Sequence, residues 1–574
     1  MQGMTIRRTL RRATTGALAA TLALTVLAAA PATAAGPKDR FEPTIPFIGE
    51  GEGGGLFTPQ DFERMAAEHP VTGSLIYYSQ CRFAPFTGDS LYAPFAGNAI
   101  VNDTAFQYAD GTQCYNPQNE QNIVINPKDP DNIVTTANEY RAQGVGVYVS
   151  KDGGATWTNV FPKGFTIFNG AQGVFKNFTD AGDPVLAFGP DGRLYLSEIA
   201  FVRTLNPAYT GVAVAASDDG GLTWGAPVLV SYTATRNVFN DKEWMTVGPD
   251  GSVYVTWTQF ALGPRGLGYD GSPIMFSKST TGGRSWTSAK PVSDPAHPYD
   301  QGSQPVVAND GTVYVAYEGA SPSTGYATDM LVVARSADGG NTWANHEVTR
   351  VYDDYDCYPI NIDGRQTLTN EQFRLNSYPS VAYDPSNGKL AIAWADNQGS
   401  GTCGGGGTEF SGTTSNQVRL VTSVNGTDWT DPATITPDAL DKVFPAVGAN
   451  NGRIVVGYFT RAYSPSPTAS DRTCGINLLD TSTNAVVAPP DPAMAAAAVC
   501  LDYAMRSSSD GFATETRLST QSSNPYLQFA GTFIGDYEGV AVDASGKAAL
   551  VWTDDRGNPG VTTPNQDAVV AAGR

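Results

Sequence analysis

One short pattern recurs along the chain and decides its fold. Residues 150–157 read SKDGGATW, residues 217–224 read SDDGGLTW and residues 336–343 read SADGGNTW. Two degenerate copies, STTGGRSW at 279–286 and SVNGTDW at 423–429, follow the same outline. In a complete copy the Asp can accept hydrogen bonds from its own turn, the paired glycines can adopt positive φ, and the Trp begins a strand. We therefore predict that these Asp residues are structural and exclude them from the catalytic candidates.

A second, longer unit also repeats. Each copy has a polar cluster, an alternating strand, a turn of Gly, Asn or Asp, and a strand rich in Val, Tyr and Trp. The seven copies occupy residues 119–141, 182–198, 241–259, 302–318, 377–397, 443–461 and 535–556. Their mean spacing of about 69 residues accommodates four short strands, and such all-β periodicity is typical of a propeller. We predict an all-β, seven-bladed β-propeller over residues 96–574, whose last blade is completed by a strand near residues 98–106.

The N-terminal part has the composition of an export signal. Residues 7–12 are rich in Arg, residues 17–30 are uncharged and dominated by Ala and Leu, and residues 32–34 read ATA. This pattern predicts a signal peptide over residues 1–34 and a secreted, extracellular protein. Residues 35–95 form a predicted arm with a short helix from residue 58 to 68, opened by Pro59. We find no later segment apolar enough to span a membrane.

Charge excludes one large class of partners. The 574 residues include 56 Asp plus Glu against 36 Lys plus Arg, a formal net charge of −20. A nucleic-acid-binding protein needs a basic surface, and this chain would repel phosphate. We expect a monomer that binds a glycan and does not bind nucleic acid.

The six cysteines all lie in the exported part, where disulfides can form. We favour pairing of sequence neighbours, which joins Cys81 to Cys114, Cys357 to Cys403 and Cys474 to Cys500. No cysteine or histidine spacing typical of zinc occurs, so we expect no cofactor. A structural calcium ion at the acidic loop of residues 353–356 is the exception we leave open.

The repeats resemble those of Asp-box, or bacterial neuraminidase repeat, β-propellers of the secreted bacterial sialidase-like type. The closing segment 533–556, FIGDYEGVAVDASGKAALVWTDDR, also looks like the last blade of such proteins. The resemblance implies a glycan-processing propeller, with a six-bladed sialidase-type ring as the alternative, and an exo-α-sialidase-like glycoside hydrolase. The chain lacks the Arg-Ile-Pro or Arg-Leu-Pro element of sialidases. A non-catalytic propeller that binds glycans or proteins and a polysaccharide lyase with His297 as base are the other readings.

Blade geometry narrows the site. The first strand of a blade lies innermost, and its start opens on the same face as the end of the second strand. Polar side chains at those positions, including Glu120, Lys242 and Asp536, should converge at the axial mouth. Glycoside hydrolysis needs an acid with a raised pKa and a second group as nucleophile or base. The catalytic candidates are Tyr537, Glu538, Asp183 and Asp241, with Tyr537 as a sialidase-type nucleophile and Asp183 as acid.

Three arginines occupy equivalent strand ends on neighbouring blades. Guanidinium groups around one point would hold a substrate carboxylate through bidentate hydrogen bonds. The alternative is that these arginines pair with Glu139, Asp554 and Asp555 and tie blades together. The predicted substrate-binding residues are Arg141, Arg461, Arg556, Glu243 and Asp396.

Overall fold

In the computed structural model, the described residues are 99–101, 106–107, 113–114, 117–139, 144–202, 209–263, 269–361, 365–371, 373–398, 410, 412–463, 478–480, 485–487, 500–520, 522–523, 525, 533–555 and 566–574. The predicted signal peptide, the arm and its helix lie outside them and stay predictions. Among the described residues, none belongs to a helix with the length and apolarity that a membrane crossing requires.

Seven antiparallel sheets make up the blades. In blades 1 to 6 the strands follow sequence order from the inside outward, and in blade 7 the outermost strand comes from the N-terminal side of the ring. Blade 1 has strands Gln118–Asn126, Asp129–Glu139, Gly144–Ser150 and Thr158–Val160, and blade 2 has Asp180–Phe188, Leu194–Phe201, Thr210–Ser217 and Val228–Thr233. Blade 3 has Val238–Val247, Val253–Leu262, Ile274–Ser279 and Lys290–Pro291, with Tyr269–Gly271 added to its second strand. Blade 4 has Asp300–Val307, Val313–Ala320, Asp329–Ser336 and Ala344–Val351.

The remaining three blades repeat this plan. Blade 5 has strands Ser380–Asp384, Lys389–Asp396, Gln417–Ser423 and Ala433–Thr434, and blade 6 has Lys442–Asn450, Arg453–Thr460, Asp502–Ser507 and Thr516–Arg517. Blade 7 has Gly539–Val542, Ala548–Asp554 and Asp567–Ala571 from the C-terminal end, and Ala99–Ile100 as its outermost strand. Short 3-10 helices lie at Ile167–Asn169, Gly173–Asn177, Pro322–Thr324, Tyr355–Cys357 and Ser508–Asp510, and two-stranded ribbons pair Phe106–Gln107 with Gln113–Cys114 and Leu478–Asp480 with Ala485–Val487.

The sheets close into a ring. The innermost strand of each blade contacts the innermost strand of the next, and that of blade 7 contacts that of blade 1. Ala99 pairs with Val570 in blade 7, and the Val101 N–H donates to the Ala568 carbonyl at 2.9 Å. The seven-bladed propeller and the N-terminal strand that completes its last blade are both confirmed.

The apolar core is divided among the junctions between blades. Seven clusters of buried side chains each join two neighbouring sheets. Trp257, Trp394 and Trp552 come from the second strands of blades 3, 5 and 7 and are at most 1 % exposed. Both faces of each sheet are therefore buried, and a blade has no complete core of its own.

The SxDGGxTW segments are turns between the third and fourth strands, as predicted. In blade 1 the Asp152 carboxylate accepts from the Thr156 N–H at 2.8 Å and the Thr156 hydroxyl at 2.6 Å, while Ser150 Oγ donates to it at 2.8 Å. Asp219 and Asp338 make the same bonds in blades 2 and 4. These bonds occupy the carboxylates within their own turns, on the face opposite the axial mouth.

Because strand Ala99–Ile100 completes blade 7, we can predict the effect of removing it. A chain that starts at residue 103 loses Ala99, Ile100 and Val101, all at most 6 % exposed, and leaves strand Asp567–Ala571 as an open edge. We expect a lower melting temperature and concentration-dependent aggregation, because an unpaired strand edge recruits other strands. The matched control starts at residue 96 and keeps the strand. Equal melting temperatures and equal light scattering for the two chains would refute the role of this strand.

Candidate functional site

The innermost strands of five blades carry a β-bulge at the same position. Their pairing register shifts between Asn119 and Asn122, and at the equivalent places in blades 2, 3, 4 and 6. The first bulged residue has a positive φ in every case, and these residues are Glu120 (58°), Asp183 (55°), Lys242 (50°), Gly302 (68°) and Phe444 (48°). Residues other than glycine rarely adopt a positive φ. Bulges are frequent next to functional sites, where they redirect side chains.

The bulges bring three charged side chains to one point. The Lys242 ammonium lies 2.9 Å from Glu120 Oε1, 3.3 Å from Asp183 Oδ2 and 2.6 Å from Asp536 Oδ2. These contacts join blades 1, 2, 3 and the segment that enters blade 7, so the cluster lies at the axis. Each of the four side chains is at most 4 % exposed. We call Glu120, Asp183, Lys242 and Asp536 the axial cluster.

A second cation reaches the axial cluster from outside the repeats. Arg374, in the segment before blade 5, donates from Nε to Asp536 Oδ1 at 2.9 Å and from Nη2 to Asp536 Oδ2 at 2.5 Å. Its guanidinium lies 4.3 Å from the centre of the Phe533 ring. A bidentate pair of this kind fixes the orientation of the Asp536 carboxylate.

The environment separates the protonation states of these acids. Burial raises the pKa of Glu120 to about 8, with the nearby Asp183 charge acting in the same direction. Burial also favours the neutral form of Asp536, but Arg374 and Lys242 outweigh it and hold the pKa of Asp536 below its ordinary value. Burial raises the pKa of Asp241, next to Lys242, to about 6. At neutral pH the site therefore holds a protonated carboxyl group close to an ionised one.

Partly exposed aromatic side chains border the axial cluster. The Tyr537 ring packs edge to face against Trp244, with centroids 5.2 Å apart, and its centre lies 5.8 Å from the Lys242 ammonium. The Tyr537 hydroxyl is buried and has no hydrogen-bond partner among the described residues. Burial and the charges of Glu120 and Asp183 raise the pKa of Tyr537 well above its ordinary value. This phenol is therefore neutral at neutral pH.

In blade 4 the bulge position is a glycine, which leaves room for a side chain from another segment. Gly302 takes the bulge position there, and a Cβ added to it would lie 2.4 Å from Cγ of Tyr378. Tyr378 comes from the segment before blade 5 and is partly exposed. Burial and the charge of Asp536 raise the pKa of its phenol well above the usual range. A glycine at this bulge is thus what admits the Tyr378 ring next to the axial cluster.

Several predicted catalytic residues do lie together. Asp183 belongs to the axial cluster, and Asp241 and Tyr537 are close enough to it for its charges to shift their pKa values. Glu243 is 1 % exposed, and neither of its carboxylate oxygens has a hydrogen-bond partner among the described residues. Glu538 instead accepts from the Thr553 N–H at 3.1 Å within blade 7. These positions do not test the assigned roles, which stay predictions.

The predicted carboxylate-binding arginines present a different picture. Arg461 donates to Asp441 Oδ2 and to Glu371 Oε1, both at 2.8 Å, which is the tie between chain segments we considered, although with other acids. Asp396 pairs with Arg419 at 3.2 Å and accepts from the Trp394 indole at 3.0 Å. Arg141 and Arg556 lie outside the described residues.

Sequence reasoning missed part of the site. It placed Glu120, Lys242 and Asp536 at the axial mouth but gave them no role, because the bulges that turn Glu120 and Lys242 towards Asp536 leave no mark in the repeat pattern. Arg374 was missed altogether, since it lies outside every repeat. The polar segment RLNSY at 374–378, directly before a blade, was the available signal.

The other candidate sites are occupied by structural contacts. Both ring nitrogens of His297 face carboxylates, Nδ1 at 3.1 Å from Asp294 and Nε2 at 3.4 Å from Glu347. In the acidic loop, ligand atoms of Asp354, Asp356 and Cys357 lie within 4.8 Å of one another, but Cys357 is disulfide-bonded and Asp354 pairs with Arg350 at 2.6 Å. A calcium ion at this loop stays a prediction.

The chain shows limited similarity to known proteins. No family model matches it. A xyloglucanase from a Paenibacillus species is 28 % identical over 260 residues, which cover 42 % of this chain and 21 % of the relative. The chain thus spans about a fifth of the length of that curated relative.

Solved structures with similar folds are more distant in sequence. A Dyadobacter fermentans protein of unknown function has 14 % identity, covers 68 % of this chain and 94 % of its own, and has a TM-score of 0.40. A Hadza microbial sialidase has 13 % identity, 77 % and 73 % coverage and a TM-score of 0.38. A Penicillium chrysogenum α-L-arabinanase complexed with arabinobiose has 15 % identity, 65 % and 94 % coverage and a TM-score of 0.38. At these scores the similarities carry no argument about function.

The Gly302 position gives a test of the aromatic border. Gly302→Ala should lower the free energy of unfolding by at least about 1 kcal/mol more than Gly311→Ala, because both glycines have positive φ but only the former Cβ meets Tyr378. Urea unfolding followed by tryptophan fluorescence measures both variants. Equal losses in the two variants would show that Tyr378 does not depend on the missing side chain.

Glu120 predicts a pH dependence of stability. Its folded pKa of about 8 exceeds the ordinary value of 4.5, so the folded chain holds a proton that the unfolded chain releases between these values. Stability from this group is therefore present below about pH 4.5 and is lost as the pH rises towards 8. Glu120→Gln should consequently gain stability relative to the unchanged chain between pH 5 and pH 8. Urea midpoints that shift in parallel over this range would contradict a proton on Glu120.

Proposed function

We propose that this chain is a secreted glycoside hydrolase whose chemistry takes place at the axial cluster. The observation that carries the proposal is the contact of two buried carboxyl groups, Glu120 and Asp536, with one Lys242 ammonium. Their environments shift the two pKa values apart, since that of Glu120 is raised and that of Asp536 is lowered. Glycosidic cleavage needs one carboxylic acid to protonate the leaving oxygen and a second group to act as nucleophile or base. The neighbouring Asp183 and Asp241 supply further carboxyl groups.

The aromatic border supports a sugar substrate. Tyr537, Trp244 and Tyr378 are partly exposed and lie over the buried charges, where their faces can receive a pyranose ring. The repeat resemblance to sialidase-like propellers and the partial identity to a xyloglucanase point to the same class of substrate. In this proposal Glu120 is the general acid, with Asp183 next to it.

Two finer proposals concern the sugar. An exo-sialidase-like reaction would use Tyr537 as nucleophile and the arginines as a carboxylate clamp. Both described cations at the axis, Lys242 and Arg374, are already paired with Asp536, so a clamp for an acidic sugar depends on Arg141 and Arg556. A neutral glycan such as xyloglucan needs no clamp and is the alternative substrate.

The test is turnover by the chain without residues 1–34 on a panel of sialosides, xyloglucan, arabinan and polygalacturonate. Glu120→Gln and Asp536→Asn should each lower kcat by about 100-fold or more, because general acid catalysis typically contributes that factor. Asp310→Asn, in an exposed turn of blade 4, is the matched control and should keep full activity. Unchanged turnover in both axial variants would remove this site assignment.

Burial of the axial cluster favours a second candidate function, a glycan-binding propeller without catalysis. Its acids are at most 4 % exposed and their charges are compensated by Lys242 and Arg374, as in a structural tie. This candidate predicts saturable glycan binding, weakened by Tyr378→Ala, with no product from any member of the panel.

A further inference from the structure

Exposed apolar side chains lie close to the outermost strand of blade 2, away from the axis. Ile167 and Phe168, in the segment between blades 1 and 2, are 41 % and 44 % exposed, and Tyr232, on the outermost strand of blade 2, is 37 % exposed. The Ile167 N–H donates to the Phe178 carbonyl at 2.9 Å, and the Phe178 ring packs on Tyr232 with centroids 6.0 Å apart. Exposed apolar groups that lie close together are candidates for an interaction site.

Two tyrosines at this place stack on each other in parallel, and Tyr232 is exposed while Tyr209 is half-buried. The rings of Tyr209 and Tyr232 are parallel to within 8°, with centroids 6.4 Å apart. The Asn177 amide donates to the Tyr232 hydroxyl at 3.1 Å, so a polar group lies at the edge of the rings. Flat aromatic faces with polar edges fit a sugar ring, which has apolar C–H faces and a polar rim, better than they fit an acyl chain. We call Ile167, Phe168, Tyr209 and Tyr232 the blade 2 patch.

The sequence around the blade 2 patch differs in charge from the rest of the chain. Of 574 residues 56 are Asp or Glu, yet residues 160–179, 199–217 and 222–240 contain neither. The same stretches hold Lys163, Lys176 and Arg236, whose side chains are exposed. In a chain with a net charge of −20, these stretches contribute exposed basic side chains and no acidic ones.

We infer that the blade 2 patch binds an anionic polysaccharide, such as a uronate-rich chain, at a site separate from the axial cluster. The exposed rings of Phe168 and Tyr232 receive sugar rings by stacking, and the exposed lysines and Arg236 of the same stretches attract the carboxylates. Binding here holds the protein on polymeric material and does not require that the axial cluster be catalytic.

The test is binding of the chain without residues 1–34 to polygalacturonate, measured by affinity electrophoresis and titration calorimetry. Phe168→Ala and Lys176→Gln should each weaken binding by roughly fivefold or more, since a stacking contact or an exposed charge contributes about that factor. Raising the salt concentration should weaken binding further. Val424→Ala, which changes a side chain that is 72 % exposed in a blade 5 turn, and Lys290→Gln, on the outer strand of blade 3, are the matched controls.

The outcomes separate this inference from its competitors. Loss of binding in both patch variants, with the controls and all melting temperatures unchanged, supports it. It is overturned if the unchanged chain does not bind polygalacturonate, if the patch variants bind as well as the controls, or if a neutral β-glucan binds equally. Binding to vesicles with anionic lipid headgroups but not to the polymer overturns it in favour of a membrane surface. Turnover by the axial cluster is measured separately on small soluble glycosides.

Discussion

The Lys242 ammonium is the interaction on which the axis of this propeller depends. It is buried and lies within 3.3 Å of carboxylates from blade 1, blade 2 and the segment that enters blade 7. A buried charge is costly unless it is paired, so removal of Lys242 would leave several acids without compensation. The same ammonium that joins the blades also lowers the pKa of each acid it touches, while burial keeps that of Glu120 raised and Arg374 lowers that of Asp536 most. Structural and chemical roles therefore coincide in one side chain.

The bulges explain how a repeated sheet produces an asymmetric site. Five innermost strands turn the same position towards the axis with a positive φ, and the residues there range from acids and a lysine to glycine and phenylalanine. Phe444 is 3 % exposed and packs in the junction between blades 6 and 7, so it belongs to the core and not to the aromatic border of the axial cluster. One backbone feature thus gives each of these five blades a different contribution.

The sequence predicts the fold better than the site. Turn chemistry at Asp152, Asp219 and Asp338, the spacing of the seven units and the missing outer strand of blade 7 all follow from local patterns, because each blade repeats the same hydrogen bonds and apolar alternation. The site depends on ion pairs between side chains of different blades, and no local sequence pattern shows which side chains pair across the axis. Arg461 illustrates this: it stands at the end of its strand as expected, but its guanidinium is held by Asp441 and Glu371.

A double-mutant cycle between Lys242 and Asp536 tests the central claim most directly. Lys242→Met, Asp536→Asn and the double variant are compared by their free energies of unfolding. If the two side chains form one buried ion pair, each single change is strongly destabilising, and the double variant retains about 1 kcal/mol or more beyond the sum of the single losses. Strictly additive losses would contradict a coupled cluster at the axis.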